Sequence, residues 1–368
     1  MNSTLPISGT PRVLLVAGPA GPDCAEPPID RLAPLTNGAS GEIALYTDGV
    51  ILRSGVADGL GFLGATRWYA RLVRFLWRHR ERIELVHFHE TPGPAICRLL
   101  RTARRFMPRV RFTQRIAFIP TTSGSLARRL FAHAVVVETL DALDRVRVHA
   151  PGIAAFRMPP PVVPDADASP RAETLARLGL QPGAFHLLFD GPIERGNVLD
   201  HLARIVPYLL LAERRLHFLL RVRVRTGTCR ATAEAFYKRH LAAFCMQTSV
   251  LFDDEPAREL WDLADALFLP YERHAQDAEI PLAVLDAAAH GKPVFLLDRS
   301  PWIDLGPHDL RGRVTAAKDP DLGLRILDYV RDPGVIPCDA LKGHSRQNFA
   351  ADVAVRKLRE IAERTAAR

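Results

Sequence analysis

The chain has 368 residues, 48% hydrophobic and 24% charged. That is enough for two ordinary domains with a sizeable core, and it excludes a disordered or fibrous protein. Residues 1–160 hold 21 Arg, no Lys and 12 Asp or Glu, a surplus of +9 against +8 for the whole chain, so the positive charge belongs to the first half. A basic half-chain points to nucleic acid, anionic lipid or acidic substrate. These arginines are not expected to be interleaved with the exposed aromatics that base stacking needs, which argues against nucleic acid. Cys24, Cys97, Cys229, Cys245 and Cys338 are too scattered for a disulfide framework or a metal site. No signal-peptide pattern and no bilayer-length apolar run is present, so the expectation is a cytoplasmic protein.

In chain order, Arg12–Ala17 predicts a first buried strand, followed by a Gly/Pro loop over Gly18–Pro22. Ile43–Thr47 predicts the next strand. Thr66–His79 sets Leu72, Phe75 and Leu76 at helical spacing, with Arg67, Arg71, Arg74, Arg78 and Arg80 on the polar side. Leu85–Glu90 reads as a strand entering a Thr-Pro-Gly loop. It places His89 at the carboxyl end of a parallel sheet, where open α/β sheets bind ligands. A helix over Ile96–Arg105, strands over Val110–Phe118 and Ala134–Val137, and a helix over 139–149 follow. The proline-rich stretch up to Pro170 reads as a linker, and its Asp165-Ala166-Asp167 as a solvated turn rather than a metal-holding D-x-D. Beyond it come strands at His186–Phe189, Leu216–Val224, Ser249–Phe252 and Ala266–Leu269. They alternate with helices at Val198–Leu211, 231–243 and Pro256–Leu263, and terminal helices are expected over 319–331 and 346–367. This alternation predicts an α/β protein with parallel sheets covered on both faces.

The most informative stretch is Asp277–Asp298, DAEIPLAVLDAAAHGKPVFLLD. Pro281 suits the first position of a helix, which should run to about His290 and stop at a left-handed Gly291. Pro293 blocks continuation, and Val294–Leu297 reads as a short buried strand. The N–H groups of Leu282 and Ala283, with the positive end of the helix dipole, make an anion site flanked by Asp277, Glu279 and Asp286. Acids beside an anion site suit a ligand that carries both phosphate and sugar hydroxyls.

IPLAVLDAAAHGKPVFLLD resembles the donor-site motif of the retaining GT-B glycosyltransferases of family 4, E-G-F-P-L-x-x-x-E-A-x-A-x-G-x-P-V, without a gap from Pro281 to Pro293. The resemblance implies two Rossmann-like domains facing each other across a cleft. Residues 1–163 would be the acceptor-side domain, 164–183 a linker and 184–340 the nucleotide-sugar-binding domain. The C-terminal helices of 341–368 would follow, the last crossing back to the first domain. It further implies sugar transfer from a UDP- or GDP-sugar to a sugar or lipid-linked hydroxyl acceptor, with no metal and no cofactor beyond the nucleotide-sugar. Polysaccharide, glycolipid or glycoconjugate synthesis is the implied setting, with peripheral contact to the anionic inner membrane face through the arginine-rich helices.

By the resemblance, Asp286 takes the place of the ribose-binding glutamate, and the donor-sugar glutamate falls on Ala278, leaving Glu279 beside it. In the family's G-R-x-x-x-x-K-G loop, Gly191 keeps the glycine and Pro192 stands at the arginine. Arg195-Gly196 replaces Lys-Gly, an arginine being able to grip phosphate with two hydrogen bonds. Ile280, Leu282 and Ala283 complete the donor side, and His89 serves the acceptor side. Thr113-Gln114-Arg115 stands where a second family histidine falls. Each residue also has a plainer reading, a surface arginine, a solvated carboxylate or a histidine capping a strand. The changes at Ala278, Pro192 and Arg115 leave open a scaffold that binds nucleotide-sugar or a partner enzyme without turnover.

Overall fold

The structure, a computed structural model, describes residues 13–16, 43–47, 50–51, 62–89, 91–117, 119, 122–162, 171–193, 197–223, 227–252, 257–272, 280–297, 313–316, 318–333 and 338–366. The Gly18–Pro22 loop, Asp165–Asp167, Arg195, Gly196 and Asp277–Glu279 lie outside the described residues. The chain divides into two compact units. One comprises 1–161, 275–279 and 351–368, the other 162–274 and 280–350.

The first unit is built on strands β1 (Val13–Val16), β2 (Ile43–Thr47), β3 (Val50–Ile51), β4 (Leu85–Phe88), β5 (Arg111–Arg115), β6 (Ala134–Val137) and β7 (Ala154–Arg157). They form one sheet in the order β3-β2-β1-β4-β5-β6-β7, parallel except where β3 runs back against β2. Residues of β1, β4 and β6 are buried on both faces, as a sheet covered by helices requires. Period-two alternation sorts them. Leu14, Val16, Val86 and Phe88 face Trp68, Leu72 and Leu76 of helix α1 (Phe62–His79) and Leu100 of helix α2 (Pro94–Arg105). Helix α3 (Ser123–Arg129) follows β5. Helix α4 (Leu140–His149), capped by the Thr139 hydroxyl accepting from the Ala142 N–H at 3.1 Å, covers Val135 and Val137.

The second unit contains β8 (Phe185–Gly191), β9 (Leu216–Val222), β10 (Thr248–Phe252), β11 (Ala266–Leu269), β12 (Val294–Leu297) and β13 (Arg313–Ala316) in the order β10-β9-β8-β11-β12-β13, all parallel. Its helices are α5 (Arg171–Arg177), α6 (Val198–Ala212), α7 (Gly227–Phe236), α8 (Ala257–Leu263), α9 (Leu282–Ala289), α10 (Asp319–Arg331) and α11 (Cys338–Phe349). One continuous core runs from Leu187 and Leu188 through Phe218, Phe268 and Phe295 to Ile326. Each fully buried side chain of this size stabilises by about 1.5–3 kcal/mol.

Several elements depart from the sequence expectations. Helix α2 starts at Pro94, not Ile96, because a proline fits the first turn, where its missing N–H has no partner to lose. Helix α1 begins four residues before Thr66. The 231–243 segment starts at Gly227 and ends in a π turn, Tyr237–Leu241, and a 3₁₀ turn, Ala242–Phe244. The single helix expected over 346–367 is two, α11 and α12 (Ala351–Ala366). Leu358 and Ile361 of α12 pack with Val13, Leu15, Leu85 and Val136, on the sheet face opposite α1 and α2.

Candidate functional site

Both sheets reverse strand order at one place, between β1 and β4 in the first unit and between β8 and β11 in the second. Ligands of open α/β sheets bind outside the carboxyl ends of the strands at such a switch. Each unit gathers buried polar residues there.

In the first unit His89 follows β4 directly, and its N–H donates to the Val16 carbonyl of β1 at 2.9 Å, so it sits at the switch. Its side chain is buried, as is that of His87 two residues earlier on the same sheet face, with ring centroids 6.4 Å apart. His87 Nδ1 lies 2.9 Å from the Thr113 hydroxyl, and its Nε2 has no hydrogen-bond partner among the described residues. On the next strand Arg115 pairs with Glu138 at 2.5 Å, with the two side chains 5% and 1% exposed. The Arg115 guanidinium also reaches the His89 carbonyl at 3.4 Å, and the Arg157 Nε donates to the Glu138 carbonyl at 3.3 Å.

Complete burial, with Arg115 adding repulsion, pushes the His87 imidazole down to about 3. His133 and His217 are depressed to about 4, chiefly by burial. A histidine depressed below its unfolded value of about 6.5 stays neutral in the fold, while the unfolded chain takes up the proton. No stability is lost above that pH. As pH falls from 6.5 towards 3, His87 alone should cost about 1.4 kcal/mol per unit. Urea midpoints should therefore fall between pH 7.5 and 5.0 in wild type and fall by less in His87→Asn, where His133 and His217 keep their share of the loss. Parallel losses in both proteins would place the acid sensitivity elsewhere.

In the second unit β8 ends in Asp190-Gly191. Asp190 is buried and takes the guanidinium groups of Arg221 at 2.9 Å and Arg223 at 3.1 Å. Gly191 is required by packing: a Cβ there would run into the Tyr271 hydroxyl. That hydroxyl donates to the Pro192 carbonyl at 3.0 Å. Past residues 194–196, Asn197 opens α6 in a left-handed conformation, φ 53°, and its side-chain amide donates to Glu272 at 3.1 Å. The two ends of the Arg195-Gly196 loop are thus fastened by consecutive residues, Tyr271 and Glu272, at the exit of β11. Behind them His201, Arg204 and Asp319 form a polar network at 2.6–2.7 Å.

The Ile280–Leu297 stretch folds as loop, helix, glycine turn and strand. Pro281 takes the N-cap rather than the first helical position, with φ −59° and ψ 134°. Gly291 is left-handed, φ 69°, and the Lys292 N–H closes on the Ala287 carbonyl at 2.7 Å. Ile280 and Ala283 are buried in the core, so their polar contribution to a ligand is confined to the backbone. An α-helix leaves its first N–H groups without internal acceptors, here those of Leu282 and Ala283, and the dipole makes that end positive. Asp286, one turn in, is half-buried.

The sequence reading singled out His89, Gly191 and Asp286 but missed His87, Glu138, Asp190, Arg221 and Arg223. A charged or imidazole side chain inside or closing an apolar strand is their common signal, as in LVHFH, AVVVE and HLLFD.

No protein-family profile matches the sequence, and no curated protein does. Among solved structures the chain is similar to a glycosyltransferase from Rickettsia africae, at 11% identity and TM-score 0.72 over 96% of this chain and 98% of that one. It is also similar to HepE of Anabaena in complex with UDP and glucose, at 11% identity and TM-score 0.70 over 96% and 100% of the two chains. Sucrose-phosphate synthase from Thermosynechococcus elongatus matches at 12% identity and TM-score 0.70, over 97% and 100%. The fold is that of the GT-B glycosyltransferases: α/β, with two Rossmann-like sheets in series.

Proposed function

We propose that this protein is a retaining, metal-independent glycosyltransferase of the family 4 type, moving a hexose from a UDP- or GDP-sugar to a hydroxyl acceptor. The observation that carries the reading is Ile280–Leu297. A segment resembling the family's donor motif forms the expected loop, helix, left-handed glycine and strand in the second sheet. It does so in a GT-B fold, whose solved examples include HepE with UDP-glucose.

The roles follow from chemistry. Departure of a nucleoside diphosphate needs fixed positive charge, which Arg195 and the Leu282 and Ala283 N–H groups supply. Asp286 accepts from ribose hydroxyls, Glu279 from donor-sugar hydroxyls, and His89 serves the acceptor. UDP or GDP should raise the melting temperature of the wild type. Asp286→Ala and Arg195→Ala should each weaken nucleotide binding by about 1.5–3 kcal/mol, the worth of a hydrogen bond to a charged group. Thermal shifts that are identical in wild type and both variants would remove the donor-site assignment.

We further propose peripheral binding to an anionic membrane face, serving a lipid-linked acceptor in glycoconjugate synthesis. Among the described residues no helix is long and apolar enough to cross a membrane. Helices α1 and α2 leave Arg67, Arg71, Arg74, Arg78, Arg98 and Arg105 exposed. Trp77, 48% exposed, and Phe106, 63% exposed, stand among them, so exposed aromatics do accompany these arginines, contrary to the sequence reading. Arginines around aromatics are the composition of an interfacial anchor, each basic residue contributing about 1 kcal/mol near an anionic surface. Co-sedimentation with phosphatidylglycerol vesicles should be strong at low salt and weak at high salt, and reduced in Trp77→Ala/Phe106→Ala. No co-sedimentation at low salt, or retention of an arbitrary oligonucleotide instead, would sink the membrane assignment.

A further inference from the structure

We propose that the cavity at the amino ends of β5, β6 and β7, lined by Arg101, Arg104, Arg111 and His133, is a binding site for a phosphate group carried by a soluble ligand or a lipid headgroup. The cavity measures about 470 Å³. Arg111 opens β5, His133 comes just before β6, and Ile153 just before β7. Arg101 and Arg104 stand three residues apart on α2, so they share one face of it. His89 and the switch between β1 and β4 lie at the carboxyl ends of the same sheet. The cavity is therefore separate from the proposed transfer chemistry.

Main-chain bonds fix two of the cations in place. The Arg104 Nη1 donates to the Phe131 and Ala132 carbonyls at 2.9 and 2.8 Å, and the Arg101 Nη2 donates to the Leu130 carbonyl at 2.7 Å. These bonds tie α2 to the segment between α3 and β6. Among the described residues each guanidinium spends one nitrogen on them, leaving donors on its other nitrogens. Stapling thus accounts for only part of both side chains. It does not account for Arg111, whose guanidinium makes no hydrogen bond or ion pair among the described residues. His133 Nδ1 accepts from the Phe112 N–H at 3.0 Å. A neutral imidazole that accepts at Nδ1 carries its proton on Nε2, so His133 adds one more donor. All four residues are half-buried.

Charge selects the ligand. Among the described residues the lining contains no aspartate or glutamate, whereas the buried Arg115 and Arg221 each meet a carboxylate. The cations of the cavity press on one another instead. Burial, with Arg101 and Arg105 adding repulsion, holds the Arg104 guanidinium below its ordinary range. Burial also dominates at His133, with Arg104 and Arg111 adding repulsion that keeps the ring neutral. A bound anion relieves each of these repulsions. One planar fork satisfies a carboxylate. Donors arriving from α2, β5 and the approach to β6 suit a tetrahedral phosphate, whose oxygens point in several directions. Leu130 and Ile153 give the cavity apolar wall for the rest of the ligand. Arg98 and Arg105 are exposed on the same helix, so a membrane face is as fit a source of the phosphate as a soluble ligand.

The test titrates the full chain with inorganic phosphate and with pyrophosphate by calorimetry at fixed ionic strength. The proposed donor site also attracts phosphate, so variants assign the site. Arg111→Gln and His133→Gln should each weaken one saturable binding event at least about tenfold, while the thermal shift given by UDP stays at its wild-type value. Arg195→Ala should leave that event intact. Should His133→Gln fail to fold, Arg111→Gln and Arg111→Glu decide alone. Phosphatidylcholine vesicles bearing phosphatidic acid, a phosphomonoester, are compared with vesicles of equal surface charge bearing phosphatidylglycerol. A preference for phosphatidic acid that Arg111→Gln removes would assign the phosphate to a lipid, and pyrophosphate binding without that preference to a soluble ligand. No saturable binding of phosphate, pyrophosphate or phosphatidic acid would overturn the proposal. So would binding that Arg111→Gln and His133→Gln leave unchanged, which reduces these arginines to staples between α2 and the approach to β6. Tighter binding of an arbitrary oligonucleotide, lost in the same variants, would overturn it in favour of nucleic acid.

Discussion

Glu138→Ala is expected to destabilise the first unit by about 3–5 kcal/mol, because it leaves the Arg115 guanidinium buried without its carboxylate. Both side chains are almost fully enclosed, and their 2.5 Å pair lies at the carboxyl ends of β5 and β6, tied to the His89 carbonyl. A surface pair would be worth under about 1 kcal/mol, so the size of the loss reports the burial. Melting should fall on the order of 10 °C. Replacing both partners, as Arg115→Met/Glu138→Leu, should recover most of the loss, since an apolar pair of similar volume carries no desolvation cost. Such recovery accompanied by lost transfer would show that the charges are held there for the ligand. Single variants with wild-type melting would mean that the pair is solvated.

Glu279→Ala should reduce sugar transfer on the order of 10²-fold, with Asp277→Ala losing far less. By the family resemblance the donor-sugar glutamate falls on Ala278, and Pro281 fixes the backbone just downstream with φ −59°. A loop ending at a fixed helix start can turn a neighbouring carboxylate inward more easily than it can replace an anion site. The loss should appear in kcat, because hydroxyl contacts that hold the sugar matter most as the anomeric centre develops charge. Equal losses in the two variants would remove the distinction between these carboxylates.

Much of the fold was legible because parallel strands buried on both faces announce themselves as apolar runs. Ala134–Val137, Ala266–Leu269 and Val294–Leu297 have the boundaries expected. Strand β7 has no counterpart among the expected elements, because Ala-Ala-Phe-Arg is short and has no β-branched residue. Helix α3, Ser-Gly-Ser-Leu-Ala-Arg-Arg, has a weak helical sequence and draws its order from Leu126, buried against Val135 and Val137. The break at Ala350 between α11 and α12 carries neither Gly nor Pro, so no local signal marked it.

Legibility of the site was more uneven. The Gly291 turn and the half-buried Asp286 follow from local pattern. The partners of Asp190, and of Arg115 with Glu138, come together only when strands 23 or 31 residues apart pair side by side, which no single stretch encodes.

The central claim is tested most directly by incubating the wild-type protein with UDP-, GDP- and ADP-sugars in the presence of EDTA. Sugar transfer, or slow donor hydrolysis where no acceptor is supplied, is the readout. The account predicts turnover of a UDP- or GDP-sugar that EDTA leaves unchanged. Activity abolished by EDTA, or nucleotide binding with no turnover of any of these donors, would contradict it.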